Sequence, residues 1–124
     1  EHSRDFTYID DISEGIERII KLPPKRNLKW DSKKANSSSS SSPYRVLNIG
    51  NNNPIKLNDF IKEIEKNLSK KAIINYLPLQ PGDVPETYAD TTLLRNLTGF
   101  VPKVSIHEGI KEFVNWYKKY YEIK

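Results

Sequence analysis

With 124 residues, 36% hydrophobic and 29% charged, the chain can bury one domain's core but is short for a two-domain enzyme. The absence of cysteine excludes disulfides, thiolate catalysis and cysteine-ligated zinc, and two isolated histidines, His2 and His107, offer no ligand cluster, so no metal is expected. A net charge of +4, with Lys and Glu interspersed along helical stretches, reads as solvated helix faces without the basic stripe that a nucleic-acid partner needs.

RDFTY at residues 4–8 alternates charged and aromatic side chains like a short strand. Asp10 or Asp11 can then cap a helix whose Ile12, Ile16, Ile19 and Ile20 share one face, and Pro23 and Pro24 end it. Residues 25–43 contain the tract NSSSSSS and no apolar pattern to offset the entropy of ordering, which predicts a disordered or surface-loop insertion.

RVLNI at residues 45–49 is apolar and β-branched, which predicts a buried strand, and Gly50, three asparagines and Pro54 make the turn after it. Leu57, Phe60, Ile61, Ile64 and Leu68 recur at helical spacing, with Asn58 or Asp59 available as a cap. AIINY at residues 72–76 predicts another strand, after which Pro78, Pro81, Gly82 and Pro85 impose an extended loop.

Asp90 can cap a short helix carrying Leu93, Leu94 and Leu97, closed by Gly99. Ser105-Ile106-His107-Glu108 spells a capping box for a last helix that presents Ile106, Ile110, Phe113, Val114 and Tyr117 on one face. Each of those side chains would contribute roughly 1.5–3 kcal/mol if fully buried. The alternation of strands and helices predicts an α/β architecture. No apolar run approaches the ~20 residues of a membrane span and no secretory signal pattern is present, so a soluble, cytoplasmic protein is expected, with no membrane partner.

Three ordered motifs carry a resemblance: RDFTYIDDI at residues 4–12, NIGN at 48–51 and QPGDVPETYAD at 80–90. Together they resemble the C-terminal part of extended short-chain dehydrogenase/reductase epimerases of the NAD-dependent epimerase/dehydratase family, most closely the UDP-glucuronate 4-epimerases. The likeness runs over nearly the whole chain and is interrupted mainly by the insertion before residue 43. It implies that residues 1–124 form the small UDP-sugar-binding portion of such an enzyme, with short strands, about four helices and the Rossmann half absent.

A nucleotide diphosphate needs cationic forks for its phosphates and carboxylates or amides for its ribose. The resemblance assigns Arg4 to the diphosphate, where a planar guanidinium can give two parallel hydrogen bonds, and Asp83 to the ribose hydroxyls. Read without it, Arg4 pairs with a neighbour such as Asp5 and Asp83 is a turn-forming residue after Gly82. Gln80 stands where many UDP-galactose epimerases carry a second phosphate-binding arginine, a departure shared with the glucuronate-type subgroup. Thr87 and Tyr88 fall near the family's sugar-side wall, Phe6 beside the uracil or diphosphate, and Asn48 in a strand-end tie. The structural alternative for Phe6 is a core aromatic at strand spacing.

The family's chemistry is hydride transfer from sugar carbon 4 to NAD and back through a 4-keto sugar, with a tyrosine base. The five glycines, at 15, 50, 82, 99 and 109, never form the glycine-rich fingerprint of a dinucleotide site. NAD is therefore expected in the full-length enzyme and not on this chain, and the partner it lacks is the N-terminal Rossmann half, with a homodimer of the full-length enzyme as a further expectation. A Tyr-x-x-x-Lys at residues 120–124 follows the last apolar stripe with no cofactor site to serve and is read as coincidence, so no catalytic residue is assigned. The group meeting a sugar carboxylate is expected upstream of Glu1. The alternatives are a stand-alone nucleotide-sugar-binding module without catalysis, or part of a related sugar-nucleotide dehydratase or decarboxylase.

Overall fold

A strand forms only where its backbone finds partners, and in this chain those partners are few. The computed structural model describes residues 2–123. Ser3–Arg4 (β1) pairs antiparallel with Ile55–Lys56 (β2), Ser3 opposite Lys56 and Arg4 opposite Ile55. On its other side Ser3 makes a parallel bridge to Glu86, donating to Pro85 O at 2.9 Å and accepting from Thr87 N at 3.2 Å. The strand expected over residues 4–8 is thus two residues long and starts one residue earlier.

Ile9–Ile20 forms α1, which ends before Pro23 as the prolines require. Tyr8 is its N-cap and makes no side-chain cap bond, so neither Asp10 nor Asp11 is the cap; both lie inside the first turn, where they complement the helix dipole. Asp11 reaches across to another loop instead: it is 4% exposed and accepts from Lys103 N at 3.1 and 3.2 Å and from Val104 N at 3.0 Å. Of the expected apolar face, Ile12 and Ile19 are half-buried, while Ile16 and Ile20 are exposed.

Residues 25–42 form a surface loop with one 3-10 turn, Ser32–Lys34. Asn27, Asp31 and Asn36 each accept from the backbone N–H two residues on, the Asx-turn habit of such residues. Residues 45–49 are not a strand, and neither are residues 72–76. Val46 N donates to Ser37 O within the loop, and Ala72 N is taken by the Glu65 carboxylate at 2.8 Å. Both segments have the composition of strands but pair with no strand among the described residues.

Leu57–Leu68 forms α2, with Lys56 at its N-cap and no side-chain cap bond, so Asn58 and Asp59 do not cap it. Thr92–Thr98 forms α3, whose first N–H donates to the Asp90 carboxylate at 2.9 Å and whose end is closed by Gly99 at φ 67°. Ile106–Tyr120 forms α4, opened by the reciprocal Ser105–Glu108 capping box that its sequence spells.

The core consists of Leu94, Phe100, Ile110 and Val114, all at most 4% exposed. Gly15 lets α1 approach Ile49 and Phe100, with 3.4 Å left for a would-be Cβ, and the Arg18 guanidinium lies 5.5 Å over the Phe100 ring. Two polar ties join α2 to α4: Glu63 to His107 Nδ1 at 2.7 Å, and Lys118 Nζ donating to Asn67 O at 3.1 Å. Phe113 and Tyr117, expected to face inward, are 51% and 37% exposed. They belong to a solvent-facing aromatic ladder with Trp116, Tyr120 and Tyr121. The apolar periodicity of α4 is wider than the surface α2 covers.

Candidate functional site

Loop residues 80–90 meet the N-terminal strand because a turn sends them back toward it. Asp83 N donates to Gln80 O at 3.1 Å, and Gly82, third in that turn, adopts φ 86°, a conformation that favours glycine. The turn delivers Asp83 to Arg4, seventy-nine residues away in sequence, and the Arg4 Nη2 to Asp83 Oδ1 distance is 2.7 Å. Arg4 Nη1 donates to Ser3 O at 2.9 Å and Pro85 O at 3.2 Å. A guanidinium has five N–H donors, and these three bonds leave two for a further acceptor. Asp83 also accepts from Val84 N, and its other oxygen lies 3.8 Å from His2 Nε2.

The other expected site residues divide. Thr87 stands beside Arg4, its Oγ1 accepting from Asp5 N at 3.2 Å. Gln80 lies at the start of the turn, and its side-chain amide donates locally to Pro78 O at 3.0 Å. Phe6 leaves the polar strip: it stacks on Phe60 of α2 with centroids 4.0 Å apart and planes 14° apart. There it lines a pocket of about 210 Å³ with Tyr8, Ile64, Ile110 and Phe113, a pocket with no charged side chain in its wall. Tyr88 is exposed, and Asn48 makes the expected tie, Nδ2 donating to Asp90 O at 3.2 Å.

Hydrogen bonds from Thr92, through its side chain first and its backbone second, hold the Asp90 carboxyl below the usual range. Burial, with the charges of Asp10 and Glu112 behind it, pushes the Tyr8 phenol up. Neither group lies on the strip formed by Arg4, Asp83 and Thr87.

Asp5, which local sequence would pair with Arg4, joins the strip to its surroundings. Its Oδ1 accepts from Asn51 N at 3.0 Å, and its Oδ2 from Asn52 N at 3.1 Å and Ala89 N at 3.0 Å. Gly50 makes that convergence possible, since a Cβ there would lie 2.3 Å from the Ala89 Cβ and 2.9 Å from Asp5 Oδ2. The signal available in the sequence was the recurrence of Asp5, Gly50 and Ala89 within the three motifs, which is a hint of contact and not of its kind.

The glycines do not assemble a dinucleotide cradle. Gly15 and Gly109 are buried inside helices, Gly50 is packed against Asp5 and Ala89, and Gly82 and Gly99 serve turns. None opens a helix after a strand as a pyrophosphate-binding turn does. The Tyr-x-x-x-Lys coincidence ends at Lys124, outside the described residues. Among the described residues no group of three or more His, Asp or Glu side chains could hold a metal, and no helix is long and apolar enough to cross a membrane.

A family model described as GDP-mannose 4,6 dehydratase matches residues 1–113. Protein CapI of Staphylococcus aureus is 48% identical over 119 residues, covering 96% of this chain and 36% of that protein. A probable UDP-glucuronate 4-epimerase of Rhizobium meliloti (strain 1021) is 46% identical over 120 residues, covering 96% of this chain and 35% of that one. The chain therefore spans about a third of the length of the curated relatives it matches. Among solved structures, the UDP-glucuronic acid 4-epimerase from Bacillus cereus in complex with UDP-glucuronic acid and NAD superposes with a TM-score of 0.73 at 28% identity, covering 97% of this chain and 33% of that one. Architecture, motifs and these likenesses agree: the chain belongs to the NAD-dependent epimerase/dehydratase family.

Proposed function

We propose that this chain is the UDP-sugar-binding portion of an NAD-dependent nucleotide-sugar epimerase that interconverts UDP-glucuronate and UDP-galacturonate at carbon 4 through a 4-keto intermediate. The observation that supports this most is the meeting of Arg4 and Asp83, from motifs at opposite ends of the chain, on one half-exposed polar strip. Relatives named as UDP-glucuronate 4-epimerases, and a solved one with UDP-glucuronic acid bound, make that ligand class the natural choice.

The chain's own task in this reading is binding and orientation. Arg4 donates to diphosphate oxygens, Asp83 accepts from the ribose hydroxyls, and Gln80 and Thr87 border the ligand. Arg4 and Asp83 would exchange their mutual bond for ligand bonds at little expense, because pairs this exposed hold each other by only about 0–1 kcal/mol. The residues here do not fit NAD, so the hydride chemistry belongs to a Rossmann half outside these residues. The chain alone is accordingly expected not to turn over UDP-glucuronate.

Titration of UDP and uridine into the isotope-labelled chain tests the assignment by NMR. Arg4→Ala should weaken UDP about tenfold or more, the size of a charged hydrogen bond of about 1.5–3 kcal/mol, and leave uridine unchanged. Asp83→Ala should weaken both ligands. Shifts outside residues 4–8 and 80–88, or affinities indifferent to both substitutions, would overturn the assignment.

A further inference from the structure

The nucleotide strip is made of short pieces that do not hold themselves in place. β1 is two residues long, and residues 83–90 belong to no helix or strand beyond the bridge at Glu86. Asp5 follows Arg4 directly, and its carboxylate collects the backbone N–H groups of Asn51, Asn52 and Ala89 while its own N–H donates to Thr87. One side chain thus fastens the Arg4 strand to the 50–52 turn and to the far end of the loop that carries Asp83.

The geometry points to Asp5 as a positioning residue for nucleotide binding, which sets the Arg4–Asp83 spacing without touching the ligand. This rests on the UDP-sugar reading above and deepens it. Three N–H groups converge on two carboxylate oxygens, and an amide offers only one acceptor oxygen. Asp5→Asn therefore turns an NH2 toward at least one backbone N–H whichever way it is rotated, and the segment carrying that N–H must move away. Loosening by about an ångström is enough to weaken a site built from oriented hydrogen bonds.

Asp11 supplies the matched control. It too is a carboxylate on the same motif that accepts backbone N–H groups from a distant loop, but it holds Lys103 and Val104, away from the strip. Asp5→Asn and Asp11→Asn should both lower stability; only Asp5→Asn should weaken UDP, about tenfold, with Asp11→Asn within about twofold of the parent. In the amide spectrum, Asp5→Asn should move Asn51, Asn52 and Ala89 together, whereas Asp11→Asn should move Lys103 and Val104. Gly50→Ala forces the same junction apart sterically and should weaken UDP as well, which keeps the test open if Asp5→Asn fails to fold.

Unchanged UDP affinity in Asp5→Asn or Gly50→Ala, or an equal loss in Asp11→Asn, would overturn the positioning role. If Arg4→Ala and Asp83→Ala weaken UDP while Asp5→Asn does not, this inference alone falls. If the parent chain binds no UDP, the nucleotide reading falls and takes the inference with it.

Discussion

Residues 4–12 and residues 72–79 look alike as sequence, since each contains a short apolar or aromatic run that reads as a strand, yet the structure treats them oppositely. The first, like Ser3 just before it, is fastened by bonds to loops far away in the chain, here through Asp5 and Asp11. The second lies against almost nothing: Ile73, Tyr76 and Leu77 are all more than 70% exposed. β-propensity measures fitness for a pleated, half-covered surface, and only a partner turns that fitness into a strand. What separates the two segments is the presence of carboxylates able to hold remote backbone N–H groups, not their apolar content.

The largest effect that should bear on this contrast is Asp11→Ala, which leaves the part-buried Lys103 and Val104 N–H groups without their acceptor. It should lower stability by about 2 kcal/mol, read as a shifted urea midpoint at unchanged slope. A change below about 0.5 kcal/mol would mean that the fastening is not what distinguishes residues 4–12.

Acid should act next. The hydrogen bond from His107 holds the Glu63 carboxyl below the usual range, chiefly through that bond and against a smaller opposing effect of desolvation. A carboxyl lowered in the folded state contributes stability that is complete above its unfolded value and disappears as pH falls through its folded value. The tie between α2 and α4 should therefore weaken on acidification through the carboxylate range, and His107→Ala should flatten that part of the stability profile. An unaltered acid limb in His107→Ala would remove the tie from the account of the fastened half.

The smallest effect belongs to the unfastened segment. Ile73→Ser should alter stability by less than about 0.5 kcal/mol, because a side chain already in water loses no burial. It should also reduce self-association of the chain in sedimentation, since exposed apolar runs of this kind invite pairing. A loss of more than about 1 kcal/mol would show that residues 72–79 are covered in solution.

Much of the helical framework was legible because its signals are local. Gly99 closes α3 and Ser105 with Glu108 opens α4, each within a few residues of where it acts. Arg4 and Asp83 were singled out only through the resemblance, and the structure brings the two side chains into contact. Asp5 and Asp11 were misread for one reason: as neighbours of Arg4 and of a helix start they suggested an ion pair and a cap, while their acceptors' true partners lie at least forty-six residues away. Phe113 and Tyr117 failed differently, since periodicity marks an apolar face without saying what covers it.

The long reach of Asp5 also has a bearing on how the chain is made. At about 5–20 residues per second, Arg4 and Asp5 are joined to the chain roughly 4–16 seconds before Asp83 and Ala89. The strip formed by Arg4 and Asp83 is encoded among the first residues of this segment and completed only when the 80–90 loop has been made. Until then the edge of β1 that Glu86 bridges is unclaimed, and a translational pause between residues 56 and 86 would prolong the interval in which another chain could claim it.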